Sequence, residues 1–169
     1  MYKNIKSFKK ISEFGRKLLS RPSLELAIPI ISSYAKELLE ANRCSVFIYD
    51  KKENNLWTML ADGVEKIQIS ADEGIAGTSF KEKRTLIVND PYSDKRFSQK
   101  VDHQTGYITK NIIATPILNA FQEPIGVLQL LNKTADEFNK EDARLLTFFN
   151  HYISGYVELA IIFEEENKS

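Results

Sequence analysis

The hydrophobic pattern of this chain changes period twice, and that change limits the possible folds more than any other feature. Up to about residue 40, apolar residues recur at helical spacing. Between Cys44 and Lys133 they form short runs rich in β-branched and aromatic residues, and after Asn139 the helical spacing returns. Helical periodicity indicates amphipathic helices, and short β-branched runs are typical of strands. Helices at both ends and strands between them predict an α+β fold.

Two helices are predicted before the first strand. Their apolar stripes are formed by Phe8, Ile11, Gly15, Leu18 and Leu19, and by Leu24, Ile28, Ile31, Ala35 and Leu38. Residues 1–20 are interpreted as a helix that serves dimerisation or linkage, and residues 21–22 as a break. Ser23 is placed to cap the second helix. Because Pro29 has no N–H, we expect a kink there or a helix that starts later than Ser23.

The middle of the chain predicts an antiparallel sheet. Its strands are expected at residues 44–50, 56–61, 65–70, 85–90, 111–118 and 124–133. A short helix opens at Gly74 and ends near Arg84, and residues 91–110 are mostly irregular with a short helix inside. We expect the terminal helices on one face of the sheet and the 91–110 segment as a lid over a ligand pocket on the other.

The last predicted helix is the longest. Asn139 can cap it, with Asp142 completing a capping-box-like pair. Its main apolar stripe is Leu145, Phe149, Tyr152, Tyr156, Leu159 and Phe163, with a second stripe at Leu146, Ile153 and Ala160. Two apolar faces predict that one packs on the sheet while the other binds a second copy of the chain. We therefore expect a homodimer formed through the terminal helices.

Composition removes several classes of function. The 23 basic and 23 acidic residues give a net charge of zero, without the basic stripe that nucleic-acid binding needs. Cys44 is the single cysteine, and His103 and His151 lack partners at ligand spacing, so no metal, cofactor or disulfide is expected. The apolar runs are short of a membrane span, and no signal peptide begins the chain. The expected location is the cytoplasm, with no membrane contact.

Four blocks of the sequence carry a family resemblance: ADEGIAG (71–77), VNDPYSDKRF (88–97), VDHQTGYITKNIIATPI (101–117) and PIGVLQLLNK (124–133). They resemble the GAF domains of cyclic-nucleotide phosphodiesterases and cyanobacterial adenylyl cyclases. The resemblance implies a GAF-like domain at residues 21–163, followed at 164–169 by a helical exit toward a possible output domain. It also implies a regulatory module and not an enzyme, in keeping with the absence of a P-loop or nucleophile elbow.

A more specific motif marks the cyclic-nucleotide-binding members of that family. Here it consists of Asn132, Lys133, Phe138 and Asp142, and its final Glu is replaced by Ala143. The resemblance implies a salt bridge between Lys133 and Asp142 that supports the pocket without touching the ligand.

The resemblance also implies the ligand-binding residues. They are Ser45, Ala61, Asp62, Ile75, Ala76, Ser98, Asp102, Thr105, Thr109 and Gln129. Ile75 and Ala76 lie in a glycine-flanked helix start that suits a phosphate, although such a segment can also be a plain strand-to-helix turn. Ser98 is expected at the start of the second short helix. Asp102, Thr105 and Thr109 would bind ribose and base from the lid, unless Asp102 and Thr105 only cap local turns.

Gln129 is a lone polar residue in an apolar strand, so its amide needs a partner from a ligand or from the protein itself. The predicted function is a sensor domain for cAMP or cGMP, with the base left open. The alternative is a ligand-free dimerisation module.

Overall fold

The computed structural model describes residues 2–19, 23–61 and 66–168. Each predicted helix and strand is present in it, with bounds that differ by a few residues. The helices are α1 (Tyr2–Leu19), α2 (Leu24–Leu39), α3 (Gly74–Glu82), α4 (Lys100–Thr105) and α5 (Lys140–Lys168). The strands are β1 (Ala41–Asp50), β2 (Asn55–Ala61), β3 (Gln68–Ser70), β4 (Leu86–Val88), β5 (Ile112–Leu118) and β6 (Pro124–Lys133). A single 3₁₀ turn, Pro91–Ser93, precedes α4.

The strands form one antiparallel sheet in the order β3-β2-β1-β6-β5-β4. The sequence pattern predicted the strands but not this order. β1 and β6 are the long central pair, and Ser45 lies opposite Gln129 in their register. This pairing brings together two strands that are far apart in the chain, and it forms the middle of both faces of the sheet.

α2 and α5 pack on one face of the sheet, and α1 packs on those two helices, so the terminal helices lie on one side as predicted. The sheet contributes Cys44, Val46, Ile48, Leu128 and Leu130 to this core, which we call the helix-side core. The helices contribute Ile28, Ile31, Leu146, Phe149 and Ile153, among others. Strand residues two apart point to the same face, so the alternate residues of β1 and β6 face the opposite side.

Pro29 does not delay the start of the second helix. The Ser23 side chain accepts a hydrogen bond from the Leu26 N–H, and α2 starts at Leu24 with Pro29 inside it. The alternative of a later start is therefore wrong. Pro29 is exposed, and the only backbone bond it removes is the one that its N–H would have donated to the carbonyl of Glu25.

The packed face of α5 differs from the predicted main stripe. Buried on this helix are Asp142, Leu146, Phe149, Asn150, Ile153, Val157 and Ala160. Tyr152, Leu159 and Phe163 are instead half or more exposed. The second predicted stripe, Leu146, Ile153 and Ala160, is the one that packs, and the main stripe apart from Phe149 is left partly or largely exposed.

The α1 helix packs on α5 through aromatic rings. Phe14, absent from the predicted stripe, is fully buried against Phe149 and Tyr152. Phe8 is half exposed, and its ring meets Phe148 edge to face. A Cβ at Gly15 would overlap the Tyr152 ring, so glycine is required for this close approach.

By length and composition, α5 is the one helix of the described residues that could cross a membrane, with 33% of its apolar window buried in the molecule. The apolar runs of the sequence predict no such segment. A helix that packs on a sheet with one side has the same length and composition.

Candidate functional site

The face of the sheet opposite the helix-side core lines a cavity of about 740 Å³. Its roof is α3 and the lid, residues 91–110. Every predicted ligand residue whose side chain the structure describes lines this one cavity: Ser45, Ile75, Ala76, Ser98, Asp102, Thr105, Thr109 and Gln129. Ala61 ends β2, but its side chain and the whole of Asp62 lie outside the described part of the chain.

The start of α3 offers backbone donors to the cavity. Glu73 occupies the cap position without a side-chain cap bond, and Gly74 has a φ of 73°. The N–H groups of Gly74, Ile75 and Ala76 have no acceptor among the described residues. Unpaired N–H groups at a helix N-terminus, together with the helix dipole, favour an anion.

Two polar side chains stand on the sheet wall without partners. Ser45 and Gln129 are register neighbours on β1 and β6, and neither side chain has a hydrogen bond to the described residues. No described residue therefore satisfies the Gln129 amide, and the half-buried side chain faces the cavity. Phe47, Ile112 and Leu131 surround the pair with apolar wall. A polar pair set in an apolar wall is suited to fixing the orientation of a bound molecule.

Asp102 organises the lid from within. The Tyr92 hydroxyl donates to its Oδ2 at 2.6 Å, the Thr109 N–H donates to Oδ2 at 2.8 Å, and the Thr109 hydroxyl donates to Oδ1 at 2.8 Å. The bond to Asp102, with burial and the carboxylate charge, raises the pKa of Tyr92. Asp102 is only 7% exposed, so these donors offset the cost of burying it. The Thr109 oxygen keeps acceptor capacity for a ligand hydroxyl.

Thr105 and Ser98 line the cavity, but their local structure differs from the prediction. The exposed Thr105 hydroxyl donates to the Val101 carbonyl at 2.8 Å, and its oxygen accepts the Tyr107 N–H at 3.3 Å. This geometry matches the local-turn alternative for Thr105. Gly106 ends α4 at a φ of 72°, as its turn required. Ser98 lines the cavity but lies two residues before α4, so its predicted place at the helix start is wrong.

Sequence reasoning missed Arg43 and Tyr107, which also line the cavity. The Arg43 guanidinium lies 3.6 Å from the centre of the Tyr107 ring, and the Tyr107 hydroxyl donates to Asn42 Oδ1 at 2.8 Å. Alternation along β1 places Arg43 on the same face as Ser45. This alternation could have identified Arg43 from the sequence. No sequence pattern indicates that Tyr107 of the lid contacts Arg43.

The signature residues connect the lid, the sheet and α5. The Asn132 side chain accepts the Lys110 N–H at 2.6 Å and donates to the Ile108 carbonyl at 2.8 Å. Asn132 itself has a φ of 58°, which interrupts the alternation of β6 and turns Lys133 toward α5. Lys133 Nζ then bonds both carboxylate oxygens of Asp142, at 2.7 and 2.6 Å, as the resemblance implied.

Phe138 completes this junction. It is 2% exposed within the helix-side core, and its backbone exchanges two hydrogen bonds of 3.0 Å with the Asn89 side chain. Asn89 follows β4, so the segment between β6 and α5 is tied to the strand before the lid.

A smaller cleft of about 290 Å³ lies elsewhere, between α5 and the turn at residues 118–122. None of the predicted ligand residues lines it. The larger cavity is therefore the candidate site.

The antiparallel sheet, its helical cover on one face and its cavity on the other define the class of protein: an α+β domain with a ligand-sized cavity. The family model for the GAF domain matches residues 23–156. The chain belongs to the GAF domain family, which supplies sensor and regulatory modules to signalling proteins.

Curated relatives include phosphodiesterases. A probable 3′,5′-cyclic phosphodiesterase of Caenorhabditis elegans is 28% identical over 161 residues, which cover 87% of this chain and 22% of that protein. The cone cGMP-specific 3′,5′-cyclic phosphodiesterase subunit alpha′ of Bos taurus is 31% identical over 157 residues, which cover 81% of this chain and 18% of that protein. This chain thus spans about a fifth of the length of these two relatives.

Solved structures share the fold. The GAF domain of a phosphoenolpyruvate-protein phosphotransferase from Coxiella burnetii superposes with a TM-score of 0.84 at 18% identity, covering 94% of this chain and 96% of that one. Free methionine-R-sulfoxide reductase from Neisseria meningitidis, with its substrate, superposes with a TM-score of 0.78 at 15% identity, covering 91% and 89%. The fold thus includes both regulatory domains and an enzyme, so function must be argued from the site.

Proposed function

We propose that this domain is a receptor for a cyclic nucleotide, cAMP or cGMP, and that it signals through its terminal helices. The observation that carries the proposal is that two kinds of polar group lie at different places in the cavity. Free backbone donors at the start of α3 suit an anion, and the unpartnered side chains of Ser45 and Gln129 suit the polar edge of a base.

The two kinds of group are suitably separated. The Ala71 N–H, just before α3, bonds the Asn54 carbonyl beside the Asp50 end of β1. Ser45 lies five residues from Asp50, about 16 Å along an extended strand. A cyclic nucleotide that spans part of this length can bring its phosphate to α3 and its base to β1 and β6. The cavity volume of about 740 Å³ falls in the range of roughly 300–1,000 Å³ that is usual for such sites.

The lid supplies the remaining contacts. Thr109 Oγ1 can accept a hydrogen bond from the ribose hydroxyl while it still donates to Asp102. Lys100 of the lid pairs with Glu73 beside α3 at 3.2 Å, across the mouth of the cavity. A ligand that touches both α3 and the lid stabilises the closed arrangement by its differential affinity for it.

The signal would pass through the signature residues. The lid ends on the Asn132 side chain, and the next residue holds the first turn of α5 through the Lys133–Asp142 pair. Ordering of the lid therefore acts on a residue adjacent to the anchor of the exit helix. An output domain attached to α5, the non-enzymatic role and the cytoplasmic location remain predictions.

Calorimetric titration of the purified domain with cAMP and with cGMP tests the proposal. We expect at least one to bind with a Kd on the order of 1 µM or tighter, about −8 kcal/mol. Gln129→Leu should weaken that binding at least tenfold, because the base edge loses a hydrogen-bonding partner. Lys81→Gln, on the exposed side of α3, is the control and should bind normally. A folded domain that binds neither nucleotide contradicts the proposal.

A second candidate, a dimerisation module, rests on the exposed side of α5. Gly155, Leu159 and Ile162 follow each other at spacings of 4 and 3, and all three are exposed. Phe148 and Tyr152, earlier in the same stripe, already contact α1. This spacing is the seam of a two-stranded coiled coil. Sedimentation equilibrium should show a homodimer, and Leu159→Glu should yield a monomer. A dimer that also binds nucleotide supports both functions together.

A further inference from the structure

Arg43 lines the cavity but takes no part in the contacts proposed above for the phosphate, the ribose or the base edge. It stands on β1 with its guanidinium 3.6 Å from the centre of the Tyr107 ring, so one face of the group is covered and its orientation is restrained. The guanidinium has no ion pair or hydrogen bond with any described residue. Stacking on an aromatic ring leaves the N–H groups at the edge of the plane available to a ligand.

The other cations that line the cavity already have partners. Lys100 pairs with Glu73 at 3.2 Å, and Lys66 lies 4.6 Å from the centre of the Trp57 ring. Arg43 differs from both lysines in being half-buried, and from Lys100 in having no described carboxylate partner. Like Lys66 it stacks on a ring, but its planar guanidinium keeps a fixed set of donors at its edge.

Arg43 lies at the end of the cavity away from the phosphate donors of α3. On β1 it shares a face with Ser45 and Phe47, and the chain enters α3 from the opposite end of this strand, beside Asp50. Four residues separate Arg43 from Phe47, which corresponds to about 13 Å. A cyclic nucleotide with its phosphate at α3 would therefore direct its base, and not its phosphate, toward Arg43.

We infer that Arg43 makes the site selective for guanine, so that cGMP binds in preference to cAMP; this inference rests on the proposed function. A guanidinium carries five N–H donors and no acceptor. Guanine presents two acceptors, O6 and N7, on one edge, and Arg bonds that pair in a bidentate manner. Adenine presents N7 beside an amino donor, which would face the Arg donors without an acceptor.

Gln129 does not reduce this selectivity. Its amide both donates and accepts, so it can pair with the Watson–Crick edge of either base. The discrimination therefore comes from the donor-only group, and Gln129 contributes affinity to both nucleotides.

Calorimetry with cGMP, cAMP, cIMP and 7-deaza-cGMP on the wild-type domain and on Arg43→Gln tests the inference. The wild type should bind cGMP about tenfold or more tightly than cAMP, as a bidentate pair provides. cIMP, which keeps O6 and N7, should stay within a few-fold of cGMP, and 7-deaza-cGMP should lose part of the preference. Arg43→Gln should weaken cGMP about tenfold and leave cAMP nearly unchanged.

Two controls separate the role of Arg43 from a structural one. Arg96→Gln removes a lid guanidinium that is bound to Asp94 outside the cavity and should change neither affinity. Tyr107→Phe keeps the stacked ring but loses the bond to Asn42, and it should retain the preference for cGMP.

The possible outcomes distinguish the inference from the proposed function. Equal binding of cGMP and cAMP, or an equal loss of both in Arg43→Gln, overturns guanine selection while the receptor function stands. A preference for cAMP also overturns it. Failure of every nucleotide to bind the folded wild type overturns the proposed function itself, and the inference with it.

Discussion

The two faces of the central sheet are built from alternate residues of the same strands, yet they differ in chemistry. On β1, Cys44, Val46 and Ile48 face the helices, whereas Arg43, Ser45 and Phe47 face the cavity. On β6, the buried Leu128 and Leu130 face the helices, while the half-buried Gln129 faces the cavity. The helix side is filled with apolar atoms, and the cavity side keeps polar groups without partners.

This difference shows how one sheet can serve two purposes. Burial of apolar side chains drives folding, so the helix side provides the stability of the domain. Unpartnered polar groups contribute nothing to stability, and they are typical of a surface that completes its hydrogen bonds with a ligand. Substitutions on the two faces should therefore affect different measurements.

The largest expected effect on stability is at the Lys133–Asp142 pair, which joins the end of β6 to α5. Asp142→Ala would leave Lys133, whose side chain is 11% exposed, without its carboxylate partner. Loss of one member of a buried pair costs about 3–5 kcal/mol, and chemical denaturation measures it. The double variant Lys133→Met, Asp142→Leu removes both charges and should recover most of that stability. Full stability in Asp142→Ala alone would show that the pair does not hold α5.

A comparison of neighbouring residues on β6 tests the division of roles most simply. Leu128→Ala should lower the free energy of unfolding by about 2–5 kcal/mol, because Leu128 is fully buried on the helix side. Gln129→Leu, on the cavity side, should change it by less than about 1 kcal/mol and still weaken ligand binding about tenfold or more. A large loss of stability in Gln129→Leu would mean that the cavity wall is part of the folding core.

Much of this division was predictable from the sequence. The alternation in β1 and β6 predicted which residues share a face, and the glycines around Ile75 predicted the helix start at the cavity. The strand order could not be predicted, since it depends on pairing between β1 and β6 across about 80 residues of chain. The sequence predicted two apolar stripes on α5 but left open which of them packs on the sheet, because both have helical spacing. Tyr107 over Arg43 is a contact between distant segments, which no local pattern encodes.

A smaller and local effect is expected in the lid. Thr109→Val keeps the shape of the side chain but removes the hydroxyl that donates to Asp102 at 2.8 Å. Hydrogen bonds to charged groups contribute about 1.5–3 kcal/mol, so amide protection in residues 100–110 should fall about tenfold or more. The free energy of global unfolding should change much less, since the lid lies outside the helix-side core. Unchanged exchange in these residues would show that Asp102 does not organise the lid.

The smallest expected effect concerns an exposed ion pair in the lid. Hydrogen bonds from Arg96 lower the pKa of Asp94 from 3.8 to about 2. Because the folded pKa lies below the unfolded value, the pair stabilises the fold above about pH 4, and this contribution is lost as pH falls toward 2. Both side chains are partly exposed, so the effect on stability should stay below about 1 kcal/mol.

Carbon-detected NMR titration of the Asp94 carboxyl checks this assignment. In Arg96→Gln the pKa of Asp94 should return toward its ordinary value of 3.8. An unchanged pKa in that variant would show that another group lowers it.

Native mass spectrometry of the purified domain tests the central claim most directly. With equimolar cAMP and cGMP present, the account predicts a mass increase of one cyclic nucleotide per chain. Denaturation should release that nucleotide for identification, and at nucleotide concentrations near about 1 µM the increase should be much smaller in Gln129→Leu. The proposed Kd of about 1 µM corresponds to about −8 kcal/mol. If the folded wild-type domain keeps its unliganded mass at nucleotide concentrations far above that Kd, the receptor function is contradicted.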